Sequence, residues 1–106
     1  MPTLQKTHRS IKLPSLAKCK ELVLDVETDG LSWQTNKVVG YVVTTGPKKN
    51  ESHYYPTKHK QGGNYDHKTI TNWLKKELCH REDIRLIGHN FKFDLHFMAN
   101  EGLIFK

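Results

Sequence analysis

Long apolar runs are missing from this 106-residue chain. The longest are strand-sized, which leaves no stretch near the roughly 20 residues that a membrane helix needs and makes a soluble protein with no membrane partner the expectation. Cysteine is nearly as scarce. Cys19 and Cys79 stand far apart and outside any CxxC pattern, which excludes a disulfide scaffold and fits free thiols in a reducing compartment. Histidine is not scarce, but His53, His59, His67, His80, His89 and His96 form no HxxxH or HxH pair and have no cysteine at ligand spacing. A zinc site is therefore not expected, and the histidines read as scattered surface residues. Acidic side chains are absent before Glu21, while the same stretch carries several lysines, Arg9, Pro2 and Pro14. With one arginine and no clean amphipathic run, residues 1–20 read as a basic N-terminal arm or linker rather than an organelle transit peptide. The expected location is cytoplasmic, of bacterial or phage type.

Positive charge is in modest excess, 17 Lys and Arg against 11 Asp and Glu for a formal +6, spread along the chain. That balance favours a polyanionic partner without establishing one. Hydrophobic residues make up 36% of the chain, enough for one small core and no more than one domain.

From Glu21 onward the pattern becomes regular. Leu22-Val23-Leu24-Asp25-Val26 is a short buried-strand run ending at the turn chemistry of Thr28-Asp29-Gly30. Val38 to Thr45 reads as a second strand closed by Gly46-Pro47, and Ser52-His53-Tyr54-Tyr55 as a third. Short connections predict antiparallel neighbours. Ile70, Trp73, Leu74 and Leu78 fall at helical spacing with Asp66 placed to cap the start. Arg85-Leu86-Ile87-Gly88 is a fourth strand, and Asn90 to Asn100 a second helix closed by Gly102. The order β-β-β-α-β-α predicts an α/β mixed sheet in which a crossover helix leads to a parallel fourth strand. The apolar faces of both helices are expected to need partners from beyond these residues.

Two constellations carry chemistry. Asp25 and Glu27 lie two apart at a strand end, so both carboxylates point to one face with Cα atoms roughly 6.6 Å apart. Two acids in a mostly apolar strand repel and resist ionisation unless a cation or a shared proton relieves them. The second constellation is His89-Asn90-Phe91-Lys92-Phe93-Asp94, directly after the fourth strand. Asn90 suits a helix N-cap, and Asp94 lies one turn further along the same face, where the helix dipole alone would favour an acid.

Together these segments resemble the first two motifs of the DEDD 3′–5′ exonucleases, most closely the proofreading domain of family A, DNA polymerase I-like polymerases. Beyond Asp25-Val26-Glu27-Thr28 and Asn90-x-x-x-Asp94, the resemblance takes in Asp29-Gly30-Leu31, Tyr54-Tyr55-Pro56-Thr57-Lys58-His59, Gly88-His89-Asn90-Phe91-Lys92-Phe93-Asp94 and Ala99-Asn100-Glu101-Gly102-Leu103. It is nearly continuous from Glu21 to Leu103. It implies a ribonuclease H-like fold and two-metal hydrolysis of 3′-terminal nucleotides, with Asp25, Glu27 and Asp94 as catalytic residues and ligands of two Mg²⁺ or Mn²⁺ ions, a choice that all-oxygen donors favour. It also implies that Thr28 lies against the terminal nucleotide, that Leu31 wedges beside the last bases and that Asn90 holds the substrate.

The same resemblance implies a third motif, a Tyr or His four residues before a fourth Asp, and nothing after Asp94 supplies it. Residues 21–106 are thus read as the N-terminal portion of the exonuclease domain, truncated before that motif. The implied partners are a single-stranded DNA 3′ end, the missing downstream segment and a polymerase domain. The competing readings are a half-domain that binds metal or nucleic acid without cutting, and an RNA-directed member of the same superfamily.

Overall fold

The computed structural model describes residues 11–48, 51–89 and 91–105. Four strands and two helices follow in the order β1 (Glu21–Thr28), β2 (Val38–Thr44), β3 (Ser52–Pro56), α1 (His67–Leu78), β4 (Arg85–Ile87) and α2 (Phe91–Asn100). The sheet runs β3-β2-β1-β4. β1 is antiparallel to β2, and β2 to β3, while β4 returns through α1 to lie parallel beside β1. This is the mixed sheet that the element order predicts, in the ribonuclease H-like arrangement that the resemblance implies.

The two-residue period of the strands sorts the side chains. Leu22 and Leu24 of β1, Tyr41 and Val43 of β2 and Tyr55 of β3 are buried in one core with Ile70, Trp73, Leu74 and Leu78 of α1 and Phe97 and Met98 of α2. The apolar face of α1, expected to need partners from beyond these residues, is covered within the chain, while α2 buries Phe97 and Met98 and leaves Leu95 exposed. Asp25, Val42 and Tyr54 occupy the opposite face at paired positions, all half-buried.

Caps set the helix ends. The Asp66 side chain accepts from the Thr69 backbone N–H at 3.0 Å and satisfies one of the free donors of the first turn of α1. At the end of α2, Gly102 adopts φ +85°. Its N–H donates to Ala99 O, and that of Leu103 to Met98 O, the paired bonds of a Schellman turn whose left-handed residue is normally glycine.

Residues 11–20, assigned to an arm by their charge, lie against α1. Leu16 is buried, its N–H donates to Glu77 Oε1 at 2.7 Å, and the Trp73 indole donates to Pro14 O. Arg81 donates to the carbonyls of Leu16 and Cys19. Glu21 marks where the sheet begins, while packing begins earlier. Cys19 and Cys79 are free thiols. No described helix is long and apolar enough to cross a membrane.

Candidate active site

β4 leaves the sheet early, and this creates the site. Its pairing with β1 ends at Val23↔Ile87, so the last half of β1 loses its parallel neighbour and would leave backbone donors unmet. The turn into α2 fills the gap. Asp94, in the first turn of α2 and 5% exposed, accepts a hydrogen bond from the Val26 N–H. In return, the His89 N–H donates to Asp25 Oδ1 at 3.2 Å. Gly88 allows the close approach, since a Cβ there would lie 2.6 Å from the Phe91 ring and 3.1 Å from Leu24 O.

The far end of β1 is shaped by an irregularity in its pairing with β2. Glu27 pairs with Gly40 but Thr28 pairs with Val38, which leaves Val39 as an extra residue. Bulges of this kind bend a strand and re-aim the side chains beside it. The Val39 carbonyl then accepts from both Thr57 N and Lys58 N. Glu27 is exposed here, and the Thr28 hydroxyl donates to Gly30 O at 2.7 Å.

Electrostatics tie the three acids together. Burial raises the Asp94 carboxyl to about 6, the charges of Asp25 and Glu27 push in the same direction, and the Val26 N–H and His89 oppose them. Both sequence-derived acids of β1 therefore act on the acid of α2, across more than 60 residues of chain. Among the described residues no group of three His, Cys, Asp or Glu side chains forms a preformed metal cage. The fit to a hard divalent cation rests on the donors themselves, which are all carboxylates, and on the unfavourable charge that a cation would relieve.

Of the other residues singled out in the sequence, Thr28 ends β1 directly after Glu27. Leu31, 86% exposed, lies on the β1–β2 loop, so core packing does not account for it. The loop is braced at its base by Asp29 N to Lys37 O and by Lys37 N to Asp29 Oδ1. Asn90 lies outside the described residues. Trp33, for which the sequence offers no role, stacks on His96 of α2 at 4.7 Å, and its carbonyl accepts from Asn100 Nδ2. That stack fastens the Leu31 loop to the helix bearing Asp94.

Two histidines depart from the surface reading. His67 is held between Thr57 Oγ1 at 2.8 Å and Glu101 Oε1 at 2.7 Å, joining the β3 exit to both helices. His59 is hydrogen-bonded to the Tyr54 hydroxyl, and burial together with the Glu27 charge holds that phenol above its ordinary value. The Tyr54–His59 pair was available to sequence reasoning only as part of a resemblance. Its signal is Gly40, whose place in β2 makes room for the Tyr54 ring.

With this geometry established, known proteins can be compared. NrnC of Brucella melitensis, in two solved structures of which one is described as holding bound Mg²⁺, is similar at 20% identity and TM-score 0.56, over 82% of this chain and 39% of that one. At this identity the likeness shows the fold alone, and the chain spans about two fifths of that structure's length. No curated protein matches the sequence. The family model described as 3′–5′ exonuclease, of the DNA polymerase A type, matches residues 5–106. On that match, which takes in both acidic motifs and the whole sheet, the chain belongs to the 3′–5′ exonuclease family of DEDD type.

Proposed function

We propose that this chain is the N-terminal portion of a 3′–5′ exonuclease domain that removes nucleotides from the 3′ end of single-stranded DNA, as the proofreading domains of DNA polymerase I-like enzymes do. The observation that carries the reading is the burial of Asp94 against Asp25 and Glu27. A buried carboxyl whose proton affinity is raised by burial and by two neighbouring acids is expensive in a purely structural role. The three carboxylates are well suited to divalent cations.

Asp25, Glu27 and Asp94 would hold the cations, Mg²⁺ or Mn²⁺, with Asp25 central. When bound in a pair, such ions supply a hydroxide nucleophile at neutral pH and stabilise the leaving 3′ oxygen. The chain's own residues do the rest. The bulge at Val39 presents Glu27 to solvent, Thr28 closes the turn beneath the terminal nucleotide, and Leu31 reaches beside the last base. Asn90 would hold the substrate strand. A fourth acid and the Tyr or His that orients water, which the DEDD pattern requires, would come from outside these residues, with a polymerase domain as a further partner.

Two measurements test the reading. In calorimetric titration, Mn²⁺ is expected to bind the wild-type chain, with binding weakened by Asp25→Ala and unaffected by Glu21→Ala. In a chain that also carries the third motif, Mg²⁺ is expected to shorten 5′-labelled single-stranded DNA from its 3′ end, with single-stranded RNA measured alongside, and Asp94→Ala is expected to abolish this. Equal Mn²⁺ binding by both variants overturns the site. Preferential shortening of RNA redirects the substrate to RNA.

A further inference from the structure

Two cavities meet beside the acids on the open face of the sheet. One, of about 290 Å³, is lined by Glu27, Thr28, Val39, Val42, Tyr54 and His59. The other, of about 270 Å³, shares Thr28, Val39 and His59 with the first and continues past Asp29, Lys58, Lys60 and Gln61. Three shared residues make them one groove, with Glu27 at one end and two lysines against the single acid Asp29 at the other.

We propose that this groove is the track along which the substrate strand approaches the acids, with a base against the Tyr54 ring and backbone phosphates at Lys58 and Lys60. The assignment rests on the exonuclease reading only for the identity of the strand as nucleic acid. Three features of the groove support it. First, the Glu27 end carries one acid and no lysine, while the other end carries two lysines against one acid. Phosphates are repelled at the carboxylate end without a cation and attracted at the lysine end, so the basic end is where an incoming backbone gains most.

Second, the Tyr54 ring is fixed. A Cβ on Gly40 would lie 2.2 Å from its hydroxyl, so the ring lies over a gap in β2 that only glycine leaves. Its hydroxyl is bonded to His59, which meets the ring edge-on at 5.7 Å. A ring held from both sides offers a stacking platform that loses little freedom when a base lands on it.

Third, the loop that presents the lysines is clamped. Asn64 Oδ1 accepts from the His59 N–H, and Asn64 Nδ2 donates to the His59 carbonyl, both at 2.9 Å. The Thr57 and Lys58 N–H groups are fixed to Val39 O. Lys58 and Lys60 therefore project, exposed, from a preset backbone.

The test is binding of a 5′-labelled eight-nucleotide single-stranded DNA in EDTA, read by fluorescence anisotropy across a salt series. Because no metal and no cleavage is involved, its failure is distinct from failure of the exonuclease reading. Lys58→Ala with Lys60→Ala is expected to flatten the slope of log K against log salt by about 1.4, at ~0.7 per single-strand phosphate contact. Tyr54→Ala is expected to weaken binding roughly 5- to 150-fold, the range for one stacked base, and Tyr54→Phe much less. Lys68→Ala with Lys76→Ala removes the same charge from exposed positions on α1 and is expected to leave the slope nearly unchanged. Equal loss in both lysine pairs overturns the track in favour of general attraction. An unchanged slope in the Lys58 and Lys60 pair overturns it outright, whether or not Tyr54→Ala folds.

Discussion

Replacing Asp94 with asparagine is expected to make the metal-free fold more stable while removing its ability to bind divalent cations. The Asp94 carboxyl stands at about 6 against an ordinary value of 3.8, chiefly because it is buried, with the charges of Asp25 and Glu27 adding to the shift. A group whose value is raised by folding holds its proton more tightly in the native state. Its contribution to stability is therefore fullest below about pH 4, is lost as the pH rises towards 6 and stays lost above that. Two units correspond to about 3 kcal/mol as an upper bound. Asparagine has nearly the same shape, cannot ionise and keeps an oxygen for the Val26 N–H, so it escapes this loss. Urea unfolding in EDTA is expected to show Asp94→Asn ahead of wild type at pH 7.5, with the gap closing towards pH 4. Saturating Mn²⁺ is expected to reverse the order, since a ligand at 100 times its Kd adds about 2.7 kcal/mol to the form that binds it. If Asp94→Asn is the less stable protein at pH 7.5 without metal, the carboxylate is there to bond Val26, and the argument for a cation site loses its main support.

Leu31→Ala is expected to change stability by less than about 0.5 kcal/mol, as for other exposed positions, while weakening 3′-end cleavage in a chain carrying the third motif; a large fall in Tm with unchanged activity of the folded fraction would contradict the wedge. Gly88→Ala is expected to cost about 1–3 kcal/mol because its Cβ meets the Phe91 ring and the Leu24 carbonyl, and a melt that stays in place would mean the turn into α2 has slack. Glu101 is held below the ordinary glutamate range by its bond to His67, so its contribution is present above that range and lost as the pH falls through the lowered value. Glu101→Gln is expected to cost about 1–3 kcal/mol at pH 7 and much less in strong acid, as read by thermal melts at both pH values.

Much of this architecture was legible because it follows from periodicity. Leu22 and Leu24 alternate, Ile70, Trp73, Leu74 and Leu78 recur at helical spacing, and Asp66 and Gly102 stand where caps belong. The acids of β1 were legible too, as a costly pair in an apolar strand. Their meeting with Asp94 was not derivable from spacing, because it depends on β4 stopping at Ile87 so that α2 can bond to Val26. The bulge at Val39 left no mark either, since one unpaired valine in a run of valines looks regular. Charge gave no sign that Leu16 and the Pro14 carbonyl dock on α1. Histidine counting likewise said nothing of His67, whose role comes from Thr57 and Glu101 reaching it from opposite sides.

The extra residue at Val39 also limits how the chain can vary in length. Deleting it would keep Glu27 opposite Gly40 and Thr28 opposite Val38 in an unbroken ladder, and would take away the local bend that the irregularity supplies beside Glu27. The carbonyl that anchors Thr57 and Lys58 would be gone as well. Insertions and deletions should therefore be better tolerated in the loops at 30–36 and 60–63 than at Val39, whose carbonyl has two donors to hold.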